Sequence, residues 1–424
     1  MAERTDAVVV GAGPAGSAAA LELARAGREV ILLERGPFPG SKNVYGGVVY
    51  GRVLDDVLPE WWREVPVQRW VTRRSTMMLT DKQALTVDFR TEDWGSAPYN
   101  GMTTYRAEFD SWLAGKAVQA GAKLVTSTVA TELIRESGRV VGVRTDRPDG
   151  DIRADVVIAC DGVNSFLAKQ AGLLPETDPG NQTLGVKETL ALPRTTIEER
   201  FGLTGAHGAD FEILGCTGDI PGGGFLYTNR ETISVGVVLS LTGLTESGRR
   251  PEEVLAGLKE HPAIAPYLRG AELKEYSAHL IPEGGYRSMP KLSAPGLLIA
   301  GDAASMCLAA GIWLEGVNFA IGSGLAAGRA VAEGRPDGYR ERLENDFVLI
   351  DHKNLQRAPH LVLSDRVQQQ YPKLLCDFAQ GVFTVGNPKP KPGMRKLFRD
   401  TAARHGVKLR QLAADAWAGL RTFG

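Results

Sequence analysis

Residues 8–34, VVVGAGPAGSAAALELARAGREVILLE, constrain this chain more than any other stretch. Residues 6–10 read as a short apolar strand. Gly11, Gly13 and Gly16 then set G-x-G-x-x-G at the turn into a helix. Gly11 permits the tight turn, Gly13 lets the backbone approach a pyrophosphate, and Gly16 lets the helix pack closely on the strand. The phosphates sit on the helix N-terminus. A second strand, 29–33, ends in Glu34, about 20 residues beyond the glycines, where an acidic side chain accepts the ribose hydroxyls of an adenosine. A glycine fingerprint alone is a weak signal. Strand, turn, amphipathic helix, second strand and terminal acid in this order predict a dinucleotide site.

Two later segments bear on which dinucleotide. Residues 154–164, ADVVIACDGVN, form a buried strand ending in Asp161-Gly162, and residues 296–304, GLLIAGDAA, form another ending in Gly301-Asp302. A carboxylate at such a strand end suits a ribityl hydroxyl, and the helix that follows can face a pyrophosphate or a flavin pyrimidine. Taken singly, each is also an ordinary strand-end turn. Pro14 and Ala15 in the middle of the fingerprint resemble the choice made in FAD enzymes. Together the three segments look like the glutathione-reductase-type FAD fold, in its hydroxylase and geranylgeranyl-reductase branch, so the expected cofactor is FAD. No second fingerprint follows a strand. Gly222-Gly223-Gly224 follow Pro221 and lead into FLYT, a turn into a strand. Without a separate nicotinamide domain, electrons must come from a transient donor or from a protein.

At 424 residues the chain has room for about two to three domains. Its net charge of −1 implies no general attraction to nucleic acid. Cys160, Cys216, Cys307 and Cys376 are scattered, with no C-x-x-C, and match no cluster spacing. They read as reduced thiols of a cytoplasmic protein, with no metal site in this chain. No run of about 18 apolar residues spans a bilayer, and the apolar N-terminus reads as fold rather than as a targeting signal.

The expected fold class is α/β: a glutathione-reductase-type, Rossmann-like FAD-binding domain, an inserted antiparallel β-sheet domain for substrate or quinone, and a helical C-terminal region. Residues 1–75, 100–170 and 290–340 are expected to form the discontinuous FAD domain. Residues 76–99 and 171–289 form the second domain, with strands within 76–89 and 182–240. Residues 341–424 are helical and contact a membrane or a partner. A helix is expected over 105–120, a strand beside the adenine over 123–130, a hairpin arm at 140–145 and a helix over 251–268.

Several stretches carry a more specific resemblance: GSKNVYGG at 40–47, DGVNS at 161–165, KETLALP at 187–193, GGGFLYTN at 222–229, HPAIAP at 261–266, IPEGGY at 281–286 and AIGSG at 320–324. In these the chain resembles the electron-transfer flavoprotein:quinone oxidoreductases, in their short bacterial FixC form, from the N-terminus to about residue 397. Long members carry a four-cysteine ferredoxin-like extension that this chain lacks. The resemblance implies that an iron–sulfur cluster, where used, sits on a separate FixX-type subunit. It implies electron flow from a two-subunit electron-transfer flavoprotein through FAD to a membrane quinone, and in some complexes the quinone-reducing arm of a bifurcating assembly. It also implies a peripheral position on the cytoplasmic side of the cell membrane. The FAD contacts it implies are Gly11, Gly13, Pro14, Ala15, Gly16, Glu34, Arg35, Lys42, Asn43, Gly46, Arg106, Val129, Asp161, Gly162, Gly301, Asp302, Gly316, Val317 and Asn318. No acid–base catalytic residue is implied, since the flavin carries the redox chemistry.

The resemblance places the quinone head on the backbone of Gly222 and Gly223, where no Cβ keeps a flat ring away. Phe225 and Tyr227 alternate on the same strand and line either the pocket or the core. Residues 52–62, RVLDDVLPEWW, read as an amphipathic membrane-dipping segment carrying Leu54, Val57, Leu58, Trp61 and Trp62, with Trp70 close behind. Residues 361–383, with Leu374, Leu375, Phe378 and Phe383, are a second candidate, and packing on the core or a partner is the alternative for both. Residues 389–424 carry nine Lys/Arg against two Asp, a local charge of +7 that suits anionic lipid or an acidic ferredoxin-like partner.

One departure from the family concerns residues 311–318. Members often read G-x-T-V-R-G-M-D there, whereas this chain reads GIWLEGVN, so Glu315 stands in place of a cation near the flavin pyrimidine. A negative charge there disfavours negative charge on reduced flavin. The rival readings are an aromatic hydroxylase, a geranylgeranyl reductase and a flavoprotein subunit that only scaffolds electron transfer. Hydroxylases of this branch carry His and Pro after Gly-Asp, and residues 305–309, SMCLA, have neither.

Overall fold

The computed structural model describes residues 3–41, 46–174, 178–311 and 314–423. Two compact units make up the chain. The first comprises residues 1–68, 97–182 and 280–356, and the second residues 69–96, 183–279 and 357–424.

The first unit is built on a parallel sheet in the order Lys123–Val125, Val30–Leu33, Glu3–Val10, Ile152–Ala159 and Leu297–Ile299, closed at one edge by the antiparallel strand Ser293–Ala294. The register aligns the carboxyl ends. Val10 lies beside both Leu33 and Ala159, Leu33 beside Val125, and Ala159 beside Ile299. Gly11, Glu34, Cys160-Asp161 and Ala300-Gly301 therefore all leave the sheet at one level, the edge where open α/β sheets take ligands. The hairpin Ala130–Glu136/Arg139–Thr145 joins Ile152–Ala159 near its start.

Helices Pro14–Arg25 and Val317–Ala332 pack closely in this unit because glycines allow it. A Cβ on Gly324 would lie 2.0 Å from the Ala15 carbonyl oxygen, and one on Gly328 would lie 2.7 Å from that of Ala19. Residues 52–62 depart from the sequence expectation. They form 3-10 turns at Arg52–Leu54 and Trp61–Arg63, and not the expected exposed membrane-dipping segment. Leu54, Val57, Leu58 and Trp61 are buried. The Trp61 ring lies over Gly51, where a Cβ would come within 2.2 Å of it, and its indole N–H donates to Asp55 Oδ1 at 2.8 Å. These side chains are core rather than a membrane patch.

The second unit carries a sheet in the order Glu272–Pro282, Gln182–Ala191, Thr232–Ser240, Gly222–Thr228, His207–Leu214, Arg69–Leu79 and Ala84–Arg90. The pairings are antiparallel from Gln182–Ala191 to His207–Leu214 and again at Ala84–Arg90, whereas His207–Leu214 runs parallel to Arg69–Leu79. Strand residues alternate between faces. One face presents Val186, Phe211, Ile213, Leu226, Val235 and Val237 to Ile197 and Phe201 of Arg194–Phe201 and to Val254, Leu255 and Leu258 of Pro251–Glu260. Full burial stabilises each such side chain by about 1.5–3 kcal/mol, so this face builds the larger core of the unit. The opposite face is polar and is taken up below.

Within the same unit, helices Tyr371–Phe383, Met394–Arg404 and Leu409–Phe423 enclose a small core of Leu374, Ala402 and Val407, with Phe398 and Leu412 against it. Arg366 grips both oxygens of Asp415 at 2.6 and 2.9 Å, and the Tyr371 hydroxyl donates to the same carboxylate. Phe378, expected as a membrane contact, packs on Phe398 at 5.2 Å between ring centroids. Phe383 is 79% exposed. No helix among the described residues is long and apolar enough to cross a membrane.

Candidate functional site: a dinucleotide cradle

The fingerprint turn shows why each glycine is required. Gly11 has φ +100°, and a Cβ there would sit 2.3 Å from the Cys160 carbonyl oxygen. A Cβ on Gly16 would sit 1.8 Å from the Gly11 oxygen. Gly13 differs. The nearest atom to a Cβ there is Arg106 Nη2, at 4.0 Å, so this side of the turn is open. Gly13 is the N-cap of Pro14–Arg25, and no side chain caps that helix, which leaves its first N–H groups and positive dipole end facing the opening. Such an end seats an anion.

Arg106 stands at the mouth of the turn. It begins helix Arg106–Gln119, and its Nε and Nη2 donate to Asp110 Oδ1 and Oδ2 at 2.7 and 2.8 Å. Asp110 is fully buried; burial raises its carboxyl's pKa and the Arg106 charge opposes the rise. Asp110, which fixes the arginine fork, was missed from sequence. The signal available was Arg-x-x-x-Asp at helical spacing. Gly46 opens strand Gly46–Val49 opposite Tyr105, the residue before Arg106 in the chain. Lys42 and Asn43 lie outside the described residues.

Glu34 is buried, and both its oxygens accept backbone N–H groups: Oε2 from Ala12 at 3.1 Å and Oε1 from Gly36 at 2.7 Å. The acid therefore braces the glycine turn, and its remaining lone pairs stay available to a ribose. Arg35 beside it is exposed. Residues 125–128 run alongside, since Glu34 N–H donates to the Val125 carbonyl and Thr128 N–H to that of Glu34. This brings Val129, 39% exposed, near the same acid.

Asp161 Oδ2 accepts from Leu167 N–H at 3.0 Å, while its buried Oδ1 has no well-formed hydrogen bond among the described residues. Desolvation raises its pKa against the opposing pull of the Leu167 amide, its own amide and the Ser165 hydroxyl. Gly162 takes φ +78° to turn the chain. On the next strand end, Gly301 has φ +69°, and a Cβ there would lie 2.9 Å from that of Ala15. Its N–H donates to Ser323 Oγ at 2.9 Å, and Asp302 follows in a 3-10 turn, half-buried. Ala15, Ala300, Ala320 and Cys160 pack together. Gly316 is the N-cap of Val317–Ala332, again without a capping side chain, and Asn318 donates to the Glu315 carboxylate. The turn at 11–16, the strand ends at 160–162 and 300–302 and the helix start at 316–320 thus converge within one unit. Ile312 and Trp313 lie outside the described residues.

Gly222 and Gly223 belong to the second unit, at the start of strand Gly222–Thr228. A Cβ on Gly222 would meet the Val238 carbonyl oxygen at 2.0 Å, so strand packing alone requires glycine there. A Cβ on Gly223 would have 3.1 Å to the Ile213 oxygen. Phe225 and Tyr227 stack at 5.4 Å and 15° and are buried.

Residues 4–335 match the family described as FAD binding domain, and residues 358–424 match the ETF-QO/FixC family C-terminal domain. A probable electron transfer flavoprotein-quinone oxidoreductase of Escherichia coli K12, YdiS, is 38% identical over 415 residues, with 96% of each chain covered. FixC of Bradyrhizobium diazoefficiens is 41% identical over 402 residues, covering 91% of this chain and 92% of that one. The chain belongs to the electron transfer flavoprotein-quinone oxidoreductase/FixC family. It is an FAD-dependent oxidoreductase, and the family match continues past residue 397, through the C-terminal helices to residue 424. Among solved structures, a geranylgeranyl bacteriochlorophyll reductase-like protein from Thermoplasma acidophilum superposes with a TM-score of 0.71 at 20% identity over 95% of this chain and 96% of that one. A flavin-dependent brominase gives 0.66 at 16% identity over 95% of this chain and 99% of that one. At such identities these two define the fold alone.

The cradle fits FAD on its own geometry. It has an uncapped helix end opposite an open Cα, a guanidinium fixed beside it, and a buried carboxylate oxygen left for a ligand. When bound, FAD supplies the two-electron chemistry that no side chain here provides.

Proposed function

We propose that this chain passes electrons from an electron transfer flavoprotein, through FAD, to a membrane quinone, and works with a small ferredoxin-like FixX-type subunit as the quinone-reducing arm of a larger, bifurcating complex. The observation that carries this reading is near full-length identity of 38–41% to relatives named electron transfer flavoprotein-quinone oxidoreductase and FixC, the family's C-terminal domain included. Glu34 holds the adenosine ribose. The N–H groups after Gly13 seat the pyrophosphate with Arg106 beside them, Asp302 takes a ribityl hydroxyl, and the start of Val317–Ala332 faces the pyrimidine. The backbone at Gly222-Gly223 takes the quinone head.

Membrane contact is assigned to the C-terminal helices rather than to residues 52–62. On Leu409–Phe423, Leu409, Ala413, Ala416, Trp417 and Leu420 recur at helical spacing and all are exposed. Basic residues of 389–424 surround them in sequence and favour anionic headgroups.

The test of the donor is rapid mixing. Reduced electron transfer flavoprotein should reduce the FAD of this chain within its turnover time, and NADPH alone should not. Direct reduction by NADPH would favour the geranylgeranyl-reductase reading. Glu315 gives a second expectation. Its carboxylate lies just before the Gly316 cap, half-buried and held by Asn318. Removing the charge in Glu315→Gln should raise the flavin midpoint potential by up to roughly 30 mV, equivalent to about 1.4 kcal/mol for a two-electron couple. A spectroelectrochemical titration of the loaded protein reads this shift, and an unmoved or lowered potential would place Glu315 away from the ring.

A further inference from the structure

The polar face of the sheet in the second unit carries groups that the electron path does not use. Its rows follow from the register. Lys187, Gly236, Phe225, Glu212 and Thr76 lie side by side across five strands. Thr189, Ser234, Tyr227, Asp210 and Arg74 form the next row. Gly223 shares this face, two residues before Phe225 on the same strand, which puts it diagonal to Glu212, about 7–8 Å between backbones. The Glu212 carboxylate is itself turned to Arg74 on the other neighbouring strand, so it reaches toward Gly223 by rotating about its own side-chain bonds.

Arg74 lies between the two acids. It approaches Asp210 Oδ2 at 3.6 Å and bonds Glu212 Oε1. One guanidinium faces two carboxyls, and the Asp210 and Glu212 side chains are only 8% and 16% exposed. Burial pushes both carboxyls upward, the Asp210 charge adds to the rise at Glu212, and Arg74 opposes it at both. The two carboxyls flank one guanidinium, so their titrations are coupled. The other titratable groups on this face are Tyr227, Lys187 and Glu275, with His279 further along the Glu275 strand. Burial pulls Lys187 down to about 8, against the Glu275 charge. The face also holds polar atoms that lack a partner among the described residues: Thr189 Oγ1 and Asn229 Oδ1 are both buried. These orphaned atoms lie in the Asp210 row and two residues beyond it, on the side away from Gly223, where ordered water would satisfy them.

The geometry points to Glu212, which with Asp210 flanks the Arg74 guanidinium, as the proton donor to a quinone held at Gly223. This rests on the quinone reading above. The balance is that of quinone plus two electrons plus two protons giving quinol. The electrons come from the reduced flavoprotein donor by way of FAD. Both C=O π bonds are lost and two O–H bonds form. For the first proton the carboxyl O–H of Glu212 breaks, and the carboxylate left behind is held by Arg74. It reloads from solvent, which reaches it along the row that ends at half-buried Thr76 and exposed Val87, and then delivers the second.

The test compares two acceptors on FAD-loaded protein whose flavin has been photoreduced: a short-tailed, water-soluble quinone, and ferricenium, which takes an electron and no proton. With the parental chain, quinone reduction should slow as pH rises, because Glu212 loses its proton, while ferricenium reduction stays flat. Glu212→Gln should slow quinone reduction at least about tenfold near neutral pH and remove the alkaline fall. Asp210→Asn should shift that fall to lower pH, because Glu212 keeps Arg74 and loses its like-charged neighbour. Glu212→Asp should restore part of the rate. Quinone rates and pH profiles equal to the parent's in both Glu212→Gln and Asp210→Asn would overturn the relay alone. Equal slowing of ferricenium and quinone would also overturn it, by making the pair structural. A parental chain that reduces ferricenium but no quinone at any pH would overturn the quinone reading itself.

Discussion

Gly13→Val is expected to leave a folded, colourless protein. The three fingerprint glycines are not equivalent in this structure. A Cβ on Gly16 collides with the Gly11 oxygen at 1.8 Å, and one on Gly11 collides with the Cys160 oxygen at 2.3 Å while φ stands at +100°. Substitution at either strains the strand–turn–helix itself, and overpacking of that kind costs about 1–3 kcal/mol or more. At Gly13 only Arg106 Nη2 lies as near as 4.0 Å, so a valine is accommodated by the protein but fills the pyrophosphate seat. Charge-assisted hydrogen bonds are worth about 1.5–3 kcal/mol each. Loss of two weakens FAD binding by about 100-fold or more. Bound-flavin absorbance after purification, together with a thermal denaturation curve, reads the two effects separately. A full flavin spectrum in Gly13→Val would remove the turn from the binding site, and a variant that fails to fold would mean the turn is more tightly closed than the structure has it.

The parts of this site that were legible in the sequence are those whose chemistry is local. Gly11 to Gly16, Glu34, Asp161 and Gly301-Asp302 each sit at the end of an apolar strand, and strand-end turns carry their own residue signature. Register does the rest: parallel pairing at Val10, Leu33, Ala159 and Ile299 brings those ends to one level. Asp110 and the second bond of Glu34 were not legible in this way, because each depends on a neighbour brought in by tertiary packing. Residues 52–62 were misread for a related reason. Leu54, Val57, Leu58 and Trp61 have the composition of an interfacial helix, but what buries them is the space over Gly51 and an acceptor at Asp55, neither of which a hydropathy pattern contains. The Arg74–Asp210–Glu212 group spans residues far apart in the chain and appears only once the parallel pairing of His207–Leu214 with Arg69–Leu79 is known.

That misreading reverses an expectation about membrane binding and leads to the last prediction. Trp61 is 3% exposed, so Trp61→Asp should destabilise the fold, by at least the about 3–5 kcal/mol typical of removing a buried tryptophan, rather than release the protein from lipid. Release should follow from Leu409→Asp, Trp417→Asp and Leu420→Asp made together. These side chains are 48%, 63% and 67% exposed on one helix face, so their replacement costs the folded chain little. Lipid burial of such side chains is worth about 1.5–3 kcal/mol each when complete. Even half-complete insertion of the three gives roughly 2–4 kcal/mol, so the triple variant should bind anionic vesicles about 30- to 1,000-fold more weakly. The basic residues add attraction that salt screens, so parental binding should weaken as ionic strength rises. Reduction of a long-tailed quinone in vesicles should fall with binding, whereas reduction of a short-tailed quinone in solution should hold, because the FAD cradle and Gly223 are untouched. Unchanged vesicle binding in the triple variant would reassign the stripe to a protein contact, to be sought by co-purification.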